Sequence, residues 1–313
     1  LPICDILTEK AFVNEMVGLM ATGGSTNLVM HLPAMARAAG IILTMQDFDD
    51  ISSITPLMSK IYPNGLADVN HFHAAGGIGF LISQLLDAGL MHEDVNTVMG
   101  KGLFAYTKDP KLNNEAIDFE PTSLKSQNTK ILRPYKSPFQ KTGGLKKLYG
   151  SLGEGIIKVS AIKQDQLLVE APSLIFHSQD AVKKAFKNNK ITSDTMLVVR
   201  FQGPRANGMP ELHGLTPILS ALQARGLRIA LVTDGRMSGA SGKVPAAIHM
   251  SPEAANGGPL AKLKDGDIIR LDAETGTIDV LNDEFVNRVP LTVDLTNNEF
   301  GNGRELFSLF VKM

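Results

Sequence analysis

The chain has 313 residues, with 31 Lys and Arg against 32 Asp and Glu, a formal net charge of -1, one cysteine and no tryptophan. Balanced charge leaves no global basic field to draw in nucleic acid or an anionic membrane. A hydrophobic share of 43% excludes a disordered chain, and no apolar run approaches the roughly 18 residues that cross a bilayer. One cysteine cannot close an internal disulfide or build a zinc or iron–sulfur site from this chain alone, so composition points to a reduced compartment, the cytoplasm. The length allows one large domain or two of about 100–200 residues. The chain opens at Leu1 with neither an initiator Met nor a signal-peptide pattern, the expectation for a piece of a longer protein.

Residues 1 to about 105 read as helical. Apolar residues recur at helical spacing over Ala11–Met20, a break follows at Thr22-Gly-Gly-Ser-Thr-Asn27, and a second helix over Leu28–Ala39 stops at Gly40. Ser25, Thr26 and Asn27 are all capable of capping it. Ile41-Ile-Leu-Thr44 suits a short buried strand, and further helices are expected over Asp47–Lys60 and Gly77–Ala88. Residues 106–145 lack periodicity and hold Asp109-Pro110, Asn113-Asn114, Pro121, Pro134, Pro138 and Gly143-Gly144, which predicts a linker crossing between two domains. From about 150 the chain becomes β-rich. Strands are expected over Gly155–Ile162 and Gln166–Ala171, with a hairpin over Asp265–Asp272 and Gly276–Leu281. No internal repeat or low-complexity tract is visible.

Residues 195–245 predict a β–α–β unit: a strand over Thr195–Phe201, a helix over Pro210–Arg225 and a strand over Arg228–Thr233. The crossover makes the strands parallel, so the 202–211 and 234–243 loops should emerge side by side, at the edge where open α/β sheets bind ligands. Glu211 and Ser238, 27 positions apart, should therefore meet. Neither loop carries the dinucleotide, P-loop or hydrolase-elbow glycine pattern.

Three segments carry a resemblance: Ala21-Thr-Gly-Gly-Ser-Thr-Asn27, Gly203-Pro-Arg-Ala-Asn-Gly-Met-Pro-Glu-Leu212, and Val232-Thr-Asp-Gly-Arg-Met-Ser-Gly-Ala-Ser-Gly-Lys-Val-Pro-Ala-Ala-Ile-His-Met-Ser-Pro-Glu-Ala254. Together they resemble the sugar-acid and dihydroxyacid dehydratase family. Tyr62–His71, Leu90–Thr97 and the reading Gly239-Ala-Ser-Gly-Lys243 favour its branch that acts on phosphorylated aldonates. The resemblance runs through nearly the whole chain but covers only the C-terminal half of a family member. It implies an α/β fold: residues 1–128 as the C-terminal part of an α/β domain, then residues 129–313 as a β-barrel-like, swivelling β/β/α domain. It also implies a cytoplasmic homodimer with a small phosphorylated sugar acid as partner, and no nucleic acid or membrane.

The implied reaction is a hydro-lyase step taking 6-phospho-D-gluconate to 2-dehydro-3-deoxy-6-phosphogluconate, with magnesium and an iron–sulfur cluster as Lewis acids. The family's cluster cysteines, and its other metal-binding carboxylates and lysine, belong to the half this chain does not span, so the 313-residue piece alone is expected to be inactive. Dihydroxyacid or another sugar-acid dehydratase, or an inactive fragment or assembly module, is the alternative. By resemblance Ser238 takes the C2 proton, and Glu211 is a magnesium ligand. The other readings are a solvated turn serine and a first-turn Glu complementing a helix dipole. A serine base needs positive charge or convergent N–H groups nearby, which Gly239, Gly242, Arg236 and Lys243 could supply. Ser25 and Thr26 are candidate substrate contacts, as is Ser241. Arg205, Arg236 and Lys243 are candidates for the phosphate or solvated loop cations, and Asp234 could orient Arg236, line the site or cap its turn. His71 and His73 at i, i+2, with Asp68, form a weak metal pattern if they lie on a strand. His31, His213 and His249 read as ordinary hydrogen-bonded residues.

Overall fold

The computed structural model describes residues 1–62, 64–238, 243–301 and 304–307. Two compact units divide the chain, residues 1–145 and 146–313. The molecule is mixed α/β, and its second unit is built on a closed barrel of eight strands.

In the first unit α1 (Glu9–Thr22) starts at the Thr8 cap and ends at Gly23, whose φ of 62° needs a residue without a Cβ. The chain then forms α2 (Leu28–Ala38), α3 (Met45–Ile54), α4 (Val69–Ala75) and α5 (Gly77–Asp87). Ile41–Thr44 is not the expected buried strand. It is a partly exposed connection, and Thr44 forms a capping box with Asp47 that starts α3. That helix stops at Ile54, short of the expected Lys60, because residues 57–60 run extended and pair with the 131–140 segment. Phe72, Phe80, Leu81, Leu85 and Met58 form the core with Ile131 and Leu132.

The linker reading of residues 106–145 is also corrected. After a two-residue ladder of β1 (Asn96–Thr97) and β2 (Gly100–Lys101), β3 (Lys108–Asn113) and β4 (Ala116–Pro121) form an antiparallel hairpin. Asn114 and Glu115, both at positive φ (48° and 67°), make its turn, the conformation that suits the twist of a two-residue hairpin loop. This is an isolated two-stranded ribbon, so Pro110 and Pro121 remove no bond that an interior strand would need. Beyond it, Leu132 is fully buried and the Arg133 N–H donates to Met58 O.

The second unit opens with β5 (Leu145–Gly150) and β6 (Gly153–Lys158), followed by β7 (Leu168–Phe176), α6 (Gln179–Lys187) and β8 (Thr195–Val199). The four-residue α7 (Pro204–Asn207) and α8 (Thr216–Ala224) lead to β9 (Ile229–Thr233). β10 (Ala246–Ser251), β11 (Ile268–Asp272) and β12 (Thr277–Val280) complete the set. Around the barrel the order is β10-β6-β5-β12-β11-β7-β8-β9. Strands β7, β8, β9 and β10 run parallel, and β11 pairs antiparallel with β7 and β12. Alternate residues fill the interior: Met196 and Val198 of β8, Ala230 and Val232 of β9, with Ile157, Ala247, Ile269 and Leu271. The other side of β8 and β9 is buried as well, which explains their continuous apolar runs.

The expected helix over Pro210–Arg225 is shorter than read. A 3-10 turn occupies His213–Leu215, and the helix starts at Thr216 with Pro217 in its first turn. A proline has no N–H to leave unsatisfied in the first turn and its fixed φ suits the helix there, so Pro217, not Pro210, marks the start.

Candidate functional site

β8 and β9 are parallel and in register from Thr195 beside Ile229 to Val199 beside Thr233. The loops that follow therefore leave the same edge together. Asp234 ties them: Oδ1 accepts from the Gln202 N–H at 2.9 Å, and Oδ2 from the N–H groups of Phe201 at 3.1 Å and Ala254 at 3.0 Å. The side chain is 1% exposed. Burial pushes its pKa up, and the three N–H bonds oppose that shift. Asp234 was expected to orient Arg236, to line the site or to cap its turn. Instead both its oxygens serve the backbone, so it is a staple between loops.

Glu211 is not in a helix, so the dipole reading falls away. It forms a parallel bridge with Arg236, and the Leu212 N–H donates to Arg236 O at 3.1 Å. Two short strips of loop thus zip together beyond the ends of β8 and β9. Arg236 Nη1 lies 3.1 Å from Glu211 Oε2, and its Nε donates to Met209 O at 2.8 Å. The Ser238 N–H donates to Glu211 Oε1 at 2.8 Å. The topological expectation for Glu211 and Ser238 is met directly: a carboxylate, a guanidinium and a half-buried serine share one edge. The carboxylate is held without being buried, and each oxygen retains a lone pair for another partner.

Other candidates are placed differently. Ser241, with Gly239 and Gly242, lies outside the described residues. Lys243 is exposed and lines a hollow of about 360 Å³ with Lys163, Gln166, Ser220 and Gln223. Ser220 and Gln223 sit late in α8, which leads back to the start of β9, so Lys243 belongs to the opposite end of that strand from Glu211. The expected supply of charge beside Ser238 from Lys243 is corrected: β10 pairs with β9 from Ala246 beside Leu231, which sets Lys243, three residues earlier, towards the start of β9. Arg205 is exposed, and its Nη1 donates to Asn256 Oδ1 at 2.5 Å.

In the first unit Ser25 is exposed and its Oγ accepts from the Asn27 N–H at 3.2 Å, whereas Thr26 is 1% exposed and its Oγ1 has no hydrogen-bond partner among the described residues. A buried hydroxyl in that state is costly, and it offers a donor to an arriving group. His71 and His73 lie on α4, not on a strand, so their i, i+2 spacing points them apart. His71 closes a capping box with Asp68, and His73 lines a mainly apolar hollow of about 650 Å³. Among the described residues no group of three or more His, Cys, Asp and Glu side chains converges to hold a metal.

Two residues escaped the sequence reading, and a third was read as ordinary. Glu253 caps α7, accepting from the N–H groups of Arg205 at 2.8 Å and Ala206 at 3.0 Å; a Cβ at Gly203 would stand 2.3 Å from Glu253 Oε2. Lys158, 3% exposed at the end of β6, is pulled down to about 8 by burial. His249 is not an ordinary histidine. It sits at φ 56° in an irregularity of β10, 6% exposed, its N–H on Gly235 O at 3.0 Å and its Nε2 without a partner among the described residues. Burial, then the nearby Arg236 charge, pulls its pKa down to about 4. No spacing or composition marks such a residue. Only its seat in a bulge beside Arg236 does.

These features define an α/β protein whose closed barrel presents a serine, a carboxylate and a guanidinium on adjoining loops at the carboxyl edge of parallel strands. Residues 130–310 match the C-terminal domain of the dihydroxy-acid/6-phosphogluconate dehydratases, and residues 1–106 match their N-terminal domain. The chain belongs to this family. It is 56% identical over 312 residues to a phosphogluconate dehydratase of Rhizobium meliloti, covering 99% of this chain and 52% of that protein. It is 52% identical to the phosphogluconate dehydratase of Escherichia coli K12, covering 98% and 51%. A dihydroxy-acid dehydratase of Sulfurisphaera tokodaii is 41% identical over 280 residues, covering 88% and 47%. The chain thus spans about half the length of the curated relatives it matches.

Proposed function

We propose that the polypeptide carrying this chain is a hydro-lyase that dehydrates 6-phospho-D-gluconate to 2-dehydro-3-deoxy-6-phosphogluconate. Higher identity to the phosphogluconate dehydratases than to the dihydroxy-acid dehydratase supports this substrate. The single observation that carries the site is the Ser238 N–H on Glu211 Oε1 at 2.8 Å, with Arg236 on the other oxygen. That arrangement fixes the serine backbone beside a compensated carboxylate and leaves Oγ to act as the base.

In this reading Ser238 Oγ, as the alkoxide, takes the C2 proton, the C3–O bond breaks, the proton held on Oγ passes to the departing hydroxide to give water, and the resulting enol tautomerises to the 2-keto acid. Arg236 balances the charge next to the base. Glu211 fits magnesium as one hard oxygen ligand, since magnesium uses one or two carboxylates with water and substrate oxygens. When bound, the ion would supply charge stabilisation for the developing enolate. An iron–sulfur cluster does not fit this chain by itself: Cys4 is its one cysteine and is exposed. Arg205 and Arg236 supply cationic contacts. Asp234 holds the loops. The matching fold reading takes residues 1–128 as the end of an α/β domain and residues 129–313 as a swivelling β/β/α domain, in a cytoplasmic homodimer.

The test is keto-acid formation from 6-phosphogluconate by the polypeptide at its full natural length, purified without oxygen, beside Ser238→Ala. Turnover in the wild type, with a loss of roughly 100-fold or more in kcat and little change in KM in the variant, is expected. Equal turnover in both would remove Ser238 as the base. Turnover of another dihydroxy acid alone would remove the substrate.

A further inference from the structure

We infer that Arg304, together with Arg205, forms the binding site for the substrate's phosphate group, a phosphomonoester dianion; this rests on the dehydratase reading above. Arg304 lies far along the chain from the loop at 203–211 yet closes on it. Its Nη2 donates to Arg205 O at 2.8 Å, and its Nη1 stands 2.9 Å from where a Cβ would be at Gly208. The left-handed backbone of Gly208, at φ 67°, thus leaves room for the guanidinium. Nη1 is buried and has no hydrogen-bond partner among the described residues. Leaving a guanidinium donor buried and unmatched costs more than an ordinary hydrogen bond returns, so the arrangement calls for an acceptor.

The surroundings say which acceptor. The neighbouring carboxylates are already engaged: Glu253 by the N–H groups of Arg205 and Ala206, Glu211 by Arg236 and Ser238. Among the described residues neither Arg205 nor Arg304 forms an ion pair with a carboxylate. Among the described residues the Arg205 guanidinium has only the Asn256 amide oxygen, at 2.5 Å. Two arginines joined at one loop, Arg304 through the Arg205 carbonyl, and neither with a carboxylate counter-charge among the described residues, are matched by an anion with several strong acceptor oxygens, and guanidinium geometry favours phosphate. The loop also links this pair to the reacting end. Met209 O is held by Arg236 Nε at 2.8 Å, and Glu211 follows two residues on. A six-carbon acid that reacts at C2 and C3 carries its phosphate at the other end, and Arg205 and Glu211 stand at the two ends of this one loop.

Arg304 could instead act only as a strap, as Asn298 does when its Nδ2 donates to Ala206 O at 3.1 Å. The experiment separates the two. In the full-length polypeptide, Arg304→Met is expected to raise KM for 6-phosphogluconate and the inhibition constant of inorganic phosphate by roughly ten- to a hundredfold. The inhibition constant of gluconate, which lacks the phosphate, and kcat should stay within about twofold. Arg304→Lys should recover part of the phosphate affinity, and Asn298→Ala should leave the phosphate-to-gluconate ratio unchanged. Equal weakening of gluconate and phosphate, or no weakening of either, would overturn the site. Calorimetric binding of inorganic phosphate to wild type and Arg304→Met reads the site without turnover. A phosphate site lost in the variant, in a protein that does not dehydrate 6-phosphogluconate, would keep the anion site and discard the substrate. Absence of phosphate binding in the wild type would discard the site itself.

Discussion

His249 shows what one buried side chain can do to the pH response. Its ordinary value is 6.5, and in the fold it lies at about 4. Between those values the unfolded chain binds a proton that the folded chain does not, so stability rises with pH across that window. The contribution is complete above pH 6.5 and is lost as pH falls through 4. A shift of this size corresponds to roughly 3 kcal/mol, at about 1.4 kcal/mol per unit. Urea unfolding at a series of pH values should show the midpoint falling from pH 6.5 towards 4, and His249→Gln should flatten that slope. An unchanged slope in the variant would place the titration elsewhere. The sequence could not announce this residue, because burial and neighbours make it unusual while its identity alone does not. The same holds for Arg304, a single cation in a segment with no pattern. Glu211 and Ser238 were legible for the opposite reason: two parallel strands dictate where their following loops go.

Among the elements, legibility followed how much of the signal was local. Strands β8 and β9 were readable as unbroken apolar runs, and the β11–β12 hairpin as a turn between strand-forming segments. β5, with Lys146 and Lys147, and β10, with Ala246 and Ala247, have compositions that say little about strands; partners elsewhere in the barrel decide them. The β3–β4 hairpin was hidden by its prolines and by six paired positions that stay largely exposed, leaving no alternation to read. α3 carries the clearest local test. Its Thr44 Oγ1 and backbone N–H both bond Asp47 Oδ2 at 2.7 Å, and the Asp47 N–H donates back to Thr44 Oγ1. Thr44→Ala should cost about 1 kcal/mol in thermal or urea unfolding of the first unit, whereas Thr44→Ser should cost a fraction of that. Equal losses for both would deny the cap its role.

For the whole molecule, the barrel is the structure that holds the site edge. Ile157 of β6 is fully buried in a core shared by strands that are distant in sequence. Ile157→Ala should destabilise the second unit by about 2–4 kcal/mol. Hydrogen exchange should show amides of β6, β10, β9 and β8 losing protection together, because closure makes them one cooperative ring. Loss confined to β6 would argue against that cooperativity. Two units could be foreseen from the shift in character along the chain. Their division was harder to see, because the segment around Leu132 has few apolar residues yet packs as core.

The Asp234 staple has a consequence for how the chain is made. Its three N–H partners, Phe201, Gln202 and Ala254, leave the ribosome at different times, and the arginine pair waits longer still, for Arg304. The loop that bears Glu211 is synthesised first and is sealed only when Ala254 has emerged. A nascent polypeptide therefore joins the Glu211 and Arg236 strips before Arg304 can reach the Arg205 carbonyl, and neither arrangement exists in a chain whose translation stops within β9.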